Sequence, residues 1–213
     1  MALTELEIRI LGSLLEKERT TPESYPLTTN SLVAACNQKT NRDPVSSYKA
    51  PDVEAALRNL QDKGLSVTVR GVHERSFKHY HKLEEAFSLS SEQFAVLAVL
   101  MLRGHQTPGE LRNRTERYVQ FRSIDGVEHS LEALSQHRPP LAQNHGRGPG
   151  QSQDRWGHLL GNNEEKQKPR GRLPSNLVQT DDLTALKQEI TEIKAQLAYL
   201  YEHLGLDLPS PQD

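Results

Sequence analysis

The chain has 213 residues, a formal net charge of −2 and 35% hydrophobic residues, enough for one large or two small domains. A charge so close to neutral excludes a protein that attracts nucleic acid through overall basicity. The single cysteine, Cys36, excludes an internal disulfide, and no apolar run approaches the ~20 residues of a membrane-spanning helix. The N-terminal residues lack the basic start and apolar run of a signal peptide, so we expect a cytoplasmic protein.

Charge is unevenly distributed along the chain. Basic residues outnumber acidic ones by nine to five between residues 37 and 82, and by seven to three between residues 138 and 172. Residues 173–213 reverse the balance, with two basic and seven acidic residues. Such counts indicate either a basic patch for an anionic partner or an ordinary solvated surface, and composition alone leaves both open.

The first two predicted helices carry recognisable N-terminal signals. Thr4 and Glu7 have the spacing of a capping box at the start of an apolar stripe that continues to about residue 18. A second helix is predicted at residues 29–38, capped by Thr28 or Thr29. A polar connection leads from it to the third helix.

Residues 53–65, VEAALRNLQDKGL, are the most informative stretch of the chain. Apolar residues at three- and four-residue steps predict an amphipathic helix, and Gly64 stands where a left-handed C-terminal cap is expected. Residues 65–70 then predict a strand, residues 71–75 a turn and residues 76–82 a returning strand. A third helix that ends at glycine and leads into a hairpin is typical of a winged helix-turn-helix domain.

The same pattern occurs a second time. The capping and hydrophobic residues of the first helix recur 86 residues later as Leu89, Ser90, Gln93 and Phe94. The apolar face of the third helix recurs at an offset of 74 residues as Val127, Leu131 and Leu134. Residues 141–160 complete the second copy as a wing with a glycine-rich tip at about residues 144–154.

These elements predict a mainly α protein with small β wings, in which two tandem winged helix-turn-helix domains precede a C-terminal coiled-coil helix. The expected segments are the first domain, the second domain, a polar linker, the heptad helix and a tail, at residues 1–86, 87–161, 162–180, 181–205 and 206–213. The heptad seam consists of Leu183, Leu186, Ile190, Ile193, Leu197, Leu200 and Leu204. A narrow apolar stripe needs a partner, which could be a second copy of the chain, another protein or the chain's own domains. We favour self-association into a dimer.

No catalytic constellation is recognisable, so we expect neither an enzyme nor a small-molecule substrate, and no cofactor. Cys36 faces inward on a predicted helix and is interpreted as a core residue. His73, His79 and His81 could hold a metal but lack a convincing further ligand, so we interpret them as solvated wing residues and expect no metal. Trp156, the only tryptophan, is expected to pack on the core, with base stacking as the alternative.

The hypothesis of nucleic-acid binding rests on the first domain. In winged helix-turn-helix domains the start of the third helix contacts base edges, and the loops before it contact phosphate. The candidate contacts to double-stranded DNA are Lys39, Asn41, Arg42, Ser47, Tyr48, Lys49, Arg58, Arg70 and Arg75. The third helix also carries Asp52, Glu54 and Asp62, so its outer face is mixed. The alternative function is therefore a non-enzymatic scaffold that uses winged helices as protein-docking modules.

Four stretches also indicate a family. They are residues 36–45 (CNQKTNRDPV), 53–65, 103–121 (RGHQTPGELRNRTERYVQF) and 148–160 (GPGQSQDRWGHLL). They resemble the YceH-type family of uncharacterised bacterial proteins, over about residues 3–160. The resemblance implies two winged-helix domains in tandem, and it brings no catalytic residues with it.

Overall fold

A computed structural model of the chain describes residues 2–70 and 76–161, together with Thr191 and Gln196, which are helical. The chain divides into two compact units, Met1–Gln167 and Lys168–Asp213, and the elements below belong to the first. The turn at residues 71–75, the predicted linker, the heptad seam and the tail lie outside the described residues.

Three helices occupy the first part of the chain: α1 (Glu5–Thr20), α2 (Thr29–Cys36) and α3 (Ala50–Asp62). The predicted capping box of α1 is confirmed, because the Thr4 amide donates to the Glu7 carboxylate at 2.7 Å and the Glu7 amide to the Thr4 hydroxyl at 3.2 Å. Thr28 caps α2. Helix α3 begins three residues earlier than predicted, because Pro51 fits the first turn of a helix, where a backbone donor is not needed.

Gly64 ends α3 as the sequence predicts. Its φ of +70° lies in the left-handed region. The Gly64 amide donates to the Gln61 carbonyl and the Leu65 amide to the Leu60 carbonyl, both at 2.8 Å. These two bonds form a Schellman cap, which satisfies the last carbonyls of the helix and turns the chain into the next strand.

A three-stranded antiparallel sheet follows, composed of β1 (Leu27–Thr28), β2 (Ser66–Val69) and β3 (Lys78–His81). The strand order is β1-β3-β2, so the last strand lies in the centre. Both hairpin strands are shorter than predicted, because pairing extends only over these four-residue segments.

The second repeat has the same order of elements. The short helix α4 (Leu83–Ala86) leads into α5 (Ser91–Arg103), α6 (Pro108–Thr115) and α7 (Ile124–Gln136). Strands β4 (Ala142–Asn144) and β5 (Trp156–His158) pair antiparallel. Gln106 bridges Trp156 through backbone bonds of 2.8 and 2.9 Å, so it takes the place that β1 has in the first sheet.

Both repeats contribute to one hydrophobic core, in which α1 packs against α5. The two helices approach closely at Gly12, where an added Cβ would lie 3.0 Å from the Leu102 side chain and 3.1 Å from Met101 Cβ. The described part of the chain is mainly helical with small antiparallel sheets, which confirms the predicted class. The division into domains at residue 86 stays a prediction.

Candidate nucleic-acid interface and a cleft in the second repeat

The loop between α2 and α3, residues 37–49, is fixed to the body of the protein. The Asn37 side chain donates to the Tyr48 carbonyl and accepts from the Tyr48 amide, both at 2.8 Å. Arg9 donates to the Pro44 carbonyl at 2.8 Å, and the Ser46 hydroxyl donates to the Cys36 carbonyl at 3.2 Å. The loop therefore presents its remaining side chains from a defined backbone.

Arg42 requires a correction to the sequence-based set of DNA contacts. Its side chain has no exposed surface, and its guanidinium pairs with the buried Glu16 carboxylate at 2.5 Å. It also donates to the Ala35 carbonyl at 3.0 Å and to the Asn41 carbonyl at 2.9 Å. Because all of these partners are internal, Arg42 holds the loop onto α1, and we remove it from the proposed DNA contacts.

Two other members of the set are half-buried. Asn41 has a φ of 59°, and its side-chain oxygen accepts a hydrogen bond from Arg103 at the end of α5. Tyr48 packs against the hydrophobic core, and burial raises the pKa of its phenol. Both residues therefore shape the loop.

The exposed members of the set lie around α3. Lys39 and Ser47 are exposed on the loop, and Lys49 is exposed at the N-terminus of the helix. Arg58 is exposed on the helix itself. These four exposed side chains lie in the loop before α3 and on that helix.

The wing carries a further cation. Arg70 follows β2, and its guanidinium carbon lies 5.4 Å from the ring centroid of Phe77, a cation–π distance. The Phe77 side chain is itself exposed, as is Val69. Arg75 lies outside the described residues.

The interpretation of the wing histidines as solvated is wrong for His79 and His81, which are buried on the inner face of β3. The His79 ring bonds the hydroxyls of Thr29 and Thr68, each at 2.9 Å, and burial lowers its pKa. His81 Nε2 lies 3.0 Å from Glu18, and this hydrogen bond lowers the pKa of the carboxyl. His73 lies outside the described residues.

Two predicted core residues are confirmed. Cys36 is fully buried, and burial raises the pKa of its thiol to about 11, so the sulfur is kept neutral. Trp156 is partly buried and packs against the hydrophobic core.

A cleft in the second repeat was not predicted from the sequence. It lies between α7, the start of α6 and the β4–β5 hairpin, and has a volume of about 640 Å³. Its lining includes Ile124, Glu128 and Glu132 of α7 together with Asp154 and Trp156 of the hairpin. One feature of the sequence could have indicated this cleft: α7 contains no lysine or arginine, which distinguishes it from a basic recognition helix.

Metal binding and membrane insertion are two further possibilities on which the described residues bear. Within residues 2–70 and 76–161, no group of three or more histidine, cysteine or acidic side chains is placed to hold a metal ion. None of the helices in that part of the chain is long and apolar enough to cross a bilayer.

Comparison with known proteins identifies the family. Residues 3–151 match the family described as "Protein of unknown function, DUF480". The chain belongs to this family. A UPF0502 protein of Solibacter usitatus is 41% identical over 194 residues, which cover 90% of this chain and 93% of the relative. A UPF0502 protein of Cupriavidus necator is 37% identical over 218 residues, which cover 99% of this chain and 89% of the relative.

A third relative, from Opitutus terrae, is 48% identical over 160 residues, covering 75% of this chain and 70% of its own length. The resemblance to uncharacterised YceH-type proteins is confirmed by these matches. The DUF480 region includes α1 through α7 and extends into the tip of the β4–β5 hairpin. The family match therefore covers the first repeat and all helices of the second, and it ends before β5.

Proposed function

We propose that this DUF480 protein is a tandem winged-helix protein that binds duplex DNA through its first repeat. The order α1, β1, α2, α3, β2, β3, with β3 in the centre of the sheet, supports this proposal, because it is the order expected of a winged helix-turn-helix domain. The second repeat has the same order. The proposal assigns the chain a binding role without catalysis.

The observation that carries the DNA proposal is the placement of exposed cations in the first repeat. Lys39 lies in the loop before α3, Lys49 at the start of α3, Arg58 on the helix and Arg70 at the end of β2. Phosphate contacts from a loop and a wing would fix the position of α3, and Ser47 would reach a phosphate or base edge at the entry to the helix.

Fluorescence anisotropy of a labelled mixed-sequence duplex, titrated at low and at physiological salt, tests the proposal. We expect binding that weakens with salt, because log K falls by about 0.9 for each phosphate neutralised. A titration without any binding at low salt would refute DNA binding by this protein.

A pair of charge-matched variants locates the contact. We expect Lys49→Glu with Arg70→Glu to weaken binding and to reduce the salt slope by about one for each lost contact. Arg112→Glu with Arg122→Glu is the control, because both arginines are exposed on the second repeat and the change in net charge is the same. Equal weakening by both pairs would contradict a contact in the first repeat.

The second candidate function is a protein-docking scaffold. The exposed acids Asp52, Glu54 and Asp62 on α3 favour it, because their negative charges would repel phosphate at the centre of the proposed surface. Absence of DNA binding at low salt, combined with a stoichiometric protein partner that Lys49→Glu or Glu54→Lys dissociates, would select this candidate.

We also propose that the chain self-associates through the heptad seam of residues 183–204. Two paired chains would present two first repeats to neighbouring half-sites on DNA. Sedimentation velocity should show a dimer that Ile193→Asp with Leu197→Asp dissociates. Ala195→Asp, at a heptad position opposite the seam, should leave the dimer intact. A monomeric parent chain would refute this part of the proposal.

A further inference from the structure

The cleft of the second repeat is a groove with apolar and acidic walls. Ile124 at the start of α7 is 42% exposed, and the partly buried Trp156 and Pro108 also line the groove. Glu128 and Glu132 are exposed on successive turns of α7, on the same side of the groove as Ile124. The groove therefore offers apolar surface beside carboxylates.

The charge of this groove differs from that of a DNA-binding surface. Helix α7 carries Asp125, Glu128 and Glu132 and contains no lysine or arginine. The positive side chain of the hairpin tip, Arg147, is already paired with Asp154 at 3.0 Å. Among the described residues Glu128 makes no ion pair, so its charge is available to a ligand. Phosphate would be repelled here, and a cation would be attracted.

The opposite wall is held in place by its own hydrogen bonds. Asn144 accepts from the Gly146 amide at 2.7 Å and donates to Asp154 at 3.1 Å. Gly146 and Gly150 have φ values of +72° and +74°. Residues with a side chain rarely adopt such values, so glycine at these two positions allows the turn. The groove is thus formed in advance, which reduces the entropy lost when a ligand binds.

We propose that this groove binds an extended, arginine- or lysine-containing segment of a partner protein. Long basic side chains match it, because their aliphatic stems can cover Ile124 while their charged heads reach Glu128 and Glu132. A guanidinium above the indole of Trp156 would add a cation–π contact. The proposal goes beyond DNA binding by the first repeat, and neither depends on the other.

Trp156 provides a reporter inside the groove, because it is the only tryptophan of the chain. The probe is an acetylated, amidated octapeptide that contains two arginines and three leucines spaced by alanine, titrated into the full chain at physiological salt. We expect a saturable change in Trp156 emission. The same peptide with citrulline in place of both arginines should bind at least about tenfold more weakly, since a charge-assisted contact is lost at each position.

Paired variants locate the site. Glu128→Gln with Glu132→Gln should raise the peptide Kd about tenfold, since both carboxylates lose their charge with little change in size. Glu23→Gln with Glu92→Gln is the control, because both residues are exposed outside the groove and the net charge changes equally. The Kd of this control should stay within about twofold of the parent value, because neither residue lines the groove. Nonspecific attraction alone would instead weaken binding equally in both pairs of variants.

The inference would be overturned by equal weakening in the two pairs of variants, by equal binding of the citrulline peptide, or by unchanged Trp156 emission. Duplex DNA titrated against the Glu128→Gln, Glu132→Gln variant separates this outcome from that of the DNA proposal. Unchanged DNA affinity is expected there, and the loss of DNA affinity together with peptide affinity would contradict a separate peptide groove.

Discussion

Buried polar residues connect the proposed DNA-binding loop to both repeats. Glu16 of α1 accepts from Arg42 of the loop, and the Tyr118 hydroxyl from the second repeat lies 3.3 Å from the same carboxylate. Neither side chain of the pair is exposed to water, and Arg42 is the nearer cation to Glu16, because Lys17 lies 3.8 Å from the same carboxylate. The loop that precedes α3 is therefore held by residues far apart in sequence.

Replacement of one partner of this pair should be costly. We expect Arg42→Ala to lower the free energy of unfolding by about 3–5 kcal/mol, because Glu16 would remain charged in the interior. Urea unfolding followed by circular dichroism measures the loss. The double variant Arg42→Met, Glu16→Leu should recover most of it, and a double variant as unstable as Arg42→Ala would show that the buried charge is not the cause.

His79 should make stability depend on pH. Burial lowers its pKa below the ordinary value of 6.5, so the unfolded chain binds this proton more readily. The contribution of the neutral His79 to the free energy of unfolding is fully present above pH 6.5. It is lost as pH falls below that value, at up to about 1.4 kcal/mol per pH unit. Urea midpoints should fall less steeply with acid in His79→Gln than in the parent chain.

The exposed His129 gives the matched control for this measurement. His129→Gln should retain the pH dependence of the parent chain. Identical profiles for the parent and His79→Gln would exclude His79 as the source.

The sequence could not predict which charged and polar residues are buried. Arg42 and Lys39 are three residues apart in one polar loop, yet only Arg42 meets a carboxylate from another helix. His79 and His81 share the buried face of β3, but the α1 and α2 residues that cover this face are distant in sequence. Such partners are defined by the tertiary structure, whereas local patterns report only on neighbours along the chain.

Helix ends were predictable because their determinants are local. The capping boxes at Thr4 and Ser90 lie where the spacing of side chains predicted them, and Gly64 has the expected left-handed backbone. The groove beside α7 was not predicted, since it requires the hairpin tip to lie against a helix from an earlier part of the chain.

The cap at Gly64 can be tested directly. An added Cβ there would meet no atom within 4 Å, so the effect of Gly64→Ala reports the left-handed backbone alone. We expect a loss of about 1 kcal/mol in the free energy of unfolding. Gly109→Ala is the control, because Gly109 lies within α6 with equally open space, and it should be neutral or stabilising. Equal losses in both variants would contradict the role of the cap.

The two repeats form one core, so they should unfold together. Trp156 reports on the second repeat, whereas Leu57 is 2% exposed on α3 of the first. We expect Leu57→Ala to cost about 2–5 kcal/mol and to shift the urea midpoint of Trp156 fluorescence as far as that of circular dichroism. An unchanged Trp156 midpoint would show that the repeats unfold independently.

The bond from Tyr118 to Glu16 also has a consequence for how this architecture can change during evolution. A hybrid that joined residues 1–86 of this chain to a later half without a hydroxyl at position 118 would leave Glu16 without this hydrogen-bond donor. Gly12 would likewise face a different residue in place of Leu102, at a position where α1 and α5 pack closely. Recombination within the family is therefore expected to keep the two halves as a co-inherited pair, despite their common pattern.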